Sequence, residues 1–212
     1  MAYRAMIDDD PSPQAAAMAA KIPAIMKQNW IDGLELDAAE ERFINAPLGA
    51  LIPQQRIEAS WLIERMAVLA WAIGAAELPP FFTKIDGARV SAALGMFSPD
   101  AEERIAGAKL RSVDEIIMGA RTYGVLMWRL AKYFSDPAPI DLYKKVTDPD
   151  GRHLMVDGLE FHDCDLAIEG VPLRQVLEDK LQLVGAIVYH RNKQFRWLFG
   201  FERGESTVTT VN

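Results

Sequence analysis

Apolar residues recur along much of this chain at alternating steps of three and four, the spacing of one helix face. Three stretches carry the pattern longest. From about Pro53 to Ala76 it is held by Ile57, Trp61, Val68, Trp71 and Ala75. From about Ser112 to Phe134 it is held by Val113, Ile117, Ala120, Gly124, Met127, Ala131 and Phe134. From about Pro172 to Phe199 it is held by Leu177, Leu181, Val184, Val188, Phe195 and Leu198. Each stretch predicts a long helix, and the three stripes together predict a core bundle. Small residues in the middle of the second stripe would let its neighbours approach closely.

Shorter helices are predicted around these. One runs from about Pro13 to Trp30, with Pro23 expected to kink or break it. Another starts at a capping box of Asp37 and Glu40 and stops before Pro47. After the turn forced by "ELPPFF", a short helix spans about Ala88–Leu94. Ser98-Pro99 reads as the start of one more, with Pro99 at the first helical position, ending near Gly107. Ser112 with Glu115 makes a second capping box, and "SDPAP" closes the helix that it opens.

The pattern changes from Arg152 to Gly170. In "HLMVDGLEF", Asp157-Gly158 interrupts an apolar alternation, a strong signal for a two-residue hairpin loop. That loop would pair Val156 with Leu159, Leu154 with Phe161 and His153 with His162, and "DLAIEG" adds a third short strand. The expected fold is mainly α: a helical bundle of three long helices plus shorter ones, with one small β-hairpin element. Residues 1–36 read as a helical extension, 37–201 as a single helical domain with its hairpin at about 152–170, and 202–212 as a loose, polar tail.

Composition narrows the classes of function. Of 212 residues half are hydrophobic and a quarter charged, as in ordinary globular proteins, and the formal net charge is −7. An acidic balance argues against general nucleic-acid binding and against docking on anionic membrane. Cys164 is the only cysteine, so no internal disulfide can form and a reducing, cytoplasmic compartment is expected. Three aspartates in "MAYRAMIDDDPSP" stand where an export signal needs its apolar run. The longest apolar run, Met66 to Ala76, falls short of the roughly 20 residues of a membrane span.

Charge inside the stripes is more informative. "VYHRNKQFRWLF", Val188 to Phe199, is rich in cations, yet Arg191 falls in the seven-residue gap between Val188 and Phe195, on the apolar seam. His190, Lys193 and Arg196 point elsewhere, as a solvated basic side near a helix C-terminus. Glu64 fills the matching gap between Trp61 and Val68. Burying either charge alone costs several kcal/mol, so the two are expected to pair, ideally bidentate, in the interior or across a cleft. As structure, the pair fixes helix register. As function, Arg191 clamps an anion and Glu64 orients it or acts as a base, with Arg111 in the same cleft.

Three further sets have candidate chemistry. His153, His162 and Cys164 would share one face of the hairpin and could ligate zinc, but no fourth ligand or CxxC motif accompanies them. Trp61, Trp71, Trp128 and Trp197 could line a ligand pocket, although tryptophans at helical spacing more often fill a core. Cys164 as a nucleophile lacks a local activating pattern. No phosphate-loop or dinucleotide fingerprint occurs, and no cofactor is expected.

"SWLIERMAVLAWAIG" (Ser60–Gly74), "AKLRSVDEII" (Ala108–Ile117) and "YHRNKQFRWLFG" (Tyr189–Gly200) resemble, in order and spacing, the blocks of a bacterial domain-of-unknown-function family catalogued as number 4272. The resemblance spans about Ala38 to Phe201 and rests on Trp61, Glu64, Trp71, Ala72 and Gly74, on Leu110, Arg111, Glu115, Ile116 and Trp128, and on Arg191, Trp197 and Leu198. His190, Asn192 and Arg196 depart from the family's Glu, His and Asn, and Met118 and Gly119 stand where acidic residues often follow. The resemblance implies a helical fold and a bacterial source, and attaches no activity. The expected function is a non-enzymatic module that binds a protein partner or forms a homodimer. The alternative is an enzyme or a small-molecule or anion binder at a Glu64–Arg191 cleft.

Overall fold

The computed structural model describes residues 1–8, 10, 12–29, 38–96, 98–145 and 159–200. Its helices are α1 (Ala2–Met6), α2 (Pro13–Asn29), α3 (Ala38–Asn45), α4 (Pro53–Ala72), α5 (Gly87–Ala93), α6 (Ala101–Gly107), α7 (Val113–Ser135), α8 (Leu142–Lys145) and α9 (Glu178–Leu198). The strands are β1 (Glu160–His162), β2 (Asp165–Ile168) and β3 (Val171–Pro172). The fold is mainly helical with one small antiparallel sheet, and α4, α7 and α9 form its centre. At 17 residues α2 is nearly as long as these three, and it continues through Pro23 without a break.

The local signals account for most boundaries. Ser112 Oγ accepts from the Glu115 N–H while the Glu115 carboxylate takes the Ser112 N–H, the expected capping box of α7. Asp86 caps α5 by accepting from the Ala88 N–H at 2.9 Å. Helix α4 stops four residues before the expected Ala76, because Gly74 turns left-handed at φ 70° and the Ala75 and Ala76 N–H groups bond back to the Ala70 carbonyl. Helix α6 begins at Ala101, two residues after Pro99, with Asp100 at the cap position. Asp37, the predicted cap of α3, lies outside the described residues.

The strand expected in "DLAIEG" is β2, Asp165–Ile168. Residues 152–158, with the Asp157-Gly158 loop and its three pairings, lie outside the described residues. The described sheet has the order β1-β2-β3 and turns at Asp163-Cys164 and Glu169-Gly170. All four of these residues have positive φ, between 50° and 74°, as two-residue hairpin turns require. Phe161 pairs with Leu166 and His162 with Asp165. Pro172 therefore closes β3 instead of opening the last helix. A single 3₁₀ turn follows, and α9 starts at Glu178.

Helix α9 packs against both α4 and α7, and α1 packs on α4. The central cluster includes Val68, Tyr123, Leu126, Leu130, Leu166, Val184, Val188 and Phe195. On α9 the predicted seam is the buried one, at Leu181, Val184, Val188, Arg191 and Phe195, although Leu177 is exposed. On α7 it is not. The buried side chains there are Ile116, Tyr123, Leu126, Arg129 and Leu130. At 100° per residue their face lies roughly a quarter turn from the predicted stripe. No helix among the described residues is long and apolar enough to cross a membrane.

Candidate functional site

Glu64 and Arg191 meet in the interior, and neither side chain exposes any surface. Arg191 Nε and Nη2 both lie 2.8 Å from Glu64 Oε2, so the contact converges on one oxygen instead of forming the expected two-oxygen fork. The second oxygen, Oε1, accepts from the Ile85 N–H at 2.8 Å. Arg191 Nη1 donates to the carbonyls of Pro79 and Pro80 and to the Tyr123 hydroxyl, and Nη2 donates to the Thr83 carbonyl. The guanidinium takes the carbonyls of both prolines, and that of Pro80 also accepts from the Thr83 N–H at 2.9 Å. One charge pair thus ties α4, α7, α9 and the 79–85 segment together. Burial raises the pKa of Tyr123, although Arg191 pulls the other way.

Arg111 is not brought to this junction. Its Nε donates to the Trp71 carbonyl at 2.8 Å and its N–H to the Ala72 carbonyl, while Nη2 meets Glu77 and Nη1 meets Glu115. Arg111 therefore caps the C-terminus of α4, where a cation suits the dipole, with its guanidinium over the Trp71 ring.

A second buried pair lies off the predicted stripes. Arg129 holds both oxygens of Asp165, through Nε at 2.7 Å and Nη2 at 2.6 Å, and so pins the sheet to α7. Burial pushes the Asp165 carboxyl up, but the Arg129 bonds and the Leu166 N–H outweigh it and hold the pKa below the ordinary value. Reading Ile116, Tyr123, Leu126 and Leu130 as the core stripe would have revealed Arg129 as the charge within it. A third pair, Arg4–Asp8, is buried at the contact of α1 with the residues preceding α4; its Nη2 also donates to the Ala46 and Pro47 carbonyls.

The tryptophans separate into two groups. Trp61 and Trp71 are half-buried: Trp61 stacks on His190 with Lys84 over its ring, and Trp71 packs edge-on against Phe195. Trp128 and Trp197 are exposed, contrary to a core role. The His190 pKa is pushed down to about 4, first by burial and then by the nearby charges of Arg65 and Lys193. Of the zinc candidates, His153 lies outside the described residues. His162 is exposed beside Asp163, and Cys164 is exposed in the first β-turn. Among the described residues no three His, Cys, Asp or Glu side chains are grouped to hold a metal.

The stripe expected to be the core seam of α7 is only partly buried: Ala120 and Met127 pack against the central cluster, and the ends of the stripe are exposed. Val113 and Phe134, at its ends, are 66% and 56% exposed. Between them Ile117, Ala120, Gly124, Met127 and Ala131 line an open, mostly apolar groove of about 540 Å³ with Trp128 and Arg121. Asn192, Arg196 and Phe199 of α9 supply its far wall. Together with the buried face, this gives α7 an apolar arc of roughly half its circumference, well beyond the ~100° that a helix on one core needs.

A family profile described as a domain of unknown function (DUF4272) matches residues 2–147. The chain belongs to that family. The match takes in the Ser60–Gly74 and Ala108–Ile117 blocks and ends before the third block, Tyr189–Gly200. Family residue Glu64 thus finds its partner, Arg191, on a helix beyond the matched region. No curated protein and no solved structure matches the chain.

Proposed function

We propose that this member of the DUF4272 family is a non-enzymatic interaction module whose working surface is the groove between α7 and α9. The observation that carries this reading is the open, mostly apolar groove along α7, with Trp128 at the surface, that the described residues leave uncovered. Apolar grooves of this kind accept an amphipathic helix, whose side chains at i, i+4 and i+7 fill the floor. Trp128 and Phe134 are the anchors such an interface favours, aromatic and already at the surface. The alternative, a ligand site at Glu64–Arg191, requires the junction to open and give up bonds to four elements, whereas the groove is open as it stands.

The test uses the full chain and a synthetic amphipathic helix of about 18 residues, five turns, with Leu on one face and Glu on its flanks. Amide resonances of residues 117–131 and 192–199 are expected to shift on titration, and Trp128→Ala to weaken the response about tenfold or more. Shifts centred on Glu64 and Arg191 instead, or no shift together with no self-association, would overturn the reading.

A further inference from the structure

The outer side of the α4–α9 contact gathers hydrogen-bond donors and positive charge. Trp61 and Arg65 stand one turn apart on α4, and His190 and Gln194 one turn apart on α9, so each pair shares a helix face. The two pairs meet rung by rung. The Trp61 and His190 rings stack at 5.4 Å with 3° between their planes, and Arg65 Nε donates to Gln194 Oε1 at 3.1 Å. Lys84 lies over the Trp61 ring at 4.6 Å, and Lys193 is close enough to His190 for its charge to act on the imidazole. Lys84 also sits between Thr83 and Ile85, which bond to Arg191 and Glu64, so the buried junction fixes the frame on which this cluster rests. At 100° per residue, His190, Lys193 and Gln194 occupy the side of α9 roughly opposite the wall of the groove, and the two surfaces are independent.

The cluster is rich in donors and poor in acceptors. Gln194 is 4% exposed; Arg65 takes its oxygen, and its amide nitrogen has no partner among the described residues. His190 Nδ1 is buried and likewise has no partner among them. The charges that act on His190, from Arg65 and Lys193, are both positive. Among the described residues no carboxylate pairs with Lys84 or Lys193, although the chain carries a net charge of −7. Donors withheld from water and like charges held together are both stabilised by a negative acceptor. We propose that this cluster binds an oxyanion, with Gln194 and His190 as N–H donors, Lys193 and Arg65 as the counter-charge, and Trp61 holding the imidazole in place. Four donor side chains suit the three oxygens of a phosphoryl group better than the two of a carboxylate. A bound anion offsets the repulsion that keeps the imidazole neutral, so binding and protonation of His190 favour each other.

The test titrates inorganic phosphate into the full chain at neutral pH, against sodium chloride at matched ionic strength. The Gln194 side-chain amide and His190 imidazole resonances are expected to shift and to saturate at millimolar phosphate. The His190 pKa read by NMR should then rise from about 4. Lys193→Gln and Gln194→Met should each weaken binding about tenfold, the worth of one charge-assisted hydrogen bond, while Arg121→Gln beside the groove should leave it unchanged. If the amide spectrum of Gln194→Met shows lost folding, Lys193→Gln, at a half-buried position, decides alone. Acetate should bind about tenfold more weakly than phosphate, and equal binding would overturn the phosphoryl assignment. Methyl phosphate separates two sources of the group: binding equal to or tighter than phosphate assigns an ester, weaker binding the free ion, and both support the site. Shifts as large with sodium chloride, or an equal loss in Arg121→Gln, would reduce the effect to general charge attraction and overturn the site. So would the absence of a saturable shift.

Discussion

The Glu64–Arg191 junction and the α7–α9 groove exchange the usual places of polar and apolar chemistry. The junction buries two full charges and reaches no solvent, while the groove holds an apolar floor and aromatic side chains at the surface. In the junction, nearly every polar atom has a protein partner, and one guanidinium satisfies backbone carbonyls from a proline-rich segment that no helix or strand serves. In the groove, side chains that would lower the free energy by leaving water find nothing among the described residues to cover them. Buried charge here explains how helices are held in register. Apolar area left uncovered by the described residues is what the proposed partner would cover.

The largest test of this contrast is removal of the buried cation. Arg191→Met leaves Glu64 unpaired in the interior and four oxygen acceptors without their donor, and should cost about 3–5 kcal/mol in urea unfolding. A loss below about 1 kcal/mol, the worth of a surface pair, would show that the junction is not the tie described here. Asp165→Asn is expected to cost less, about 2–3 kcal/mol, because both Arg129 contacts lose the carboxylate's charge while the shape is kept. Asp165 titrates below its ordinary value in the folded chain. Its contribution is therefore complete above the unfolded pKa and is lost as pH falls through the folded one, a dependence that Asp165→Asn should remove.

The same substitution at two glycines of α7 sharpens the comparison. Gly119→Ala pushes a methyl group into Phe195 and Trp71, both held by the core, and should destabilise by about 1–3 kcal/mol. Gly124→Ala meets open space and should stabilise by up to about 1 kcal/mol, the helix propensity difference. Equal effects at both sites would mean that the two faces of α7 are not distinct. A separate pH dependence is expected at His190. Its folded pKa of about 4 lies below the ordinary value of 6.5, so the unfolded chain binds the extra proton between them. Stability should decline as pH falls through that window and level off below it. Arg65 and Lys193 face the imidazole, and Lys193→Gln should raise the pKa read by NMR.

The sequence by itself determined the helices and the central charge pair. The starts of α5 and α7 follow from capping groups within three residues, as at Ser112–Glu115, and the stop of α4 follows from Gly74; these are local effects that need no neighbour. Glu64 and Arg191 were legible because each interrupts an apolar stripe, and an isolated buried charge is too costly to leave unpaired. Which side of α7 faces inward was decided only by tertiary contact. An apolar arc covering half a helix permits two facings, and periodicity alone cannot rank them. Arg129 bonding to Asp165, Tyr123 accepting from Arg191, and Phe195 filling the space over Gly119 chose between them. All three depend on residues distant in the chain, so the pattern of α7 itself held no record of the choice. The exposed groove is the consequence of that selection.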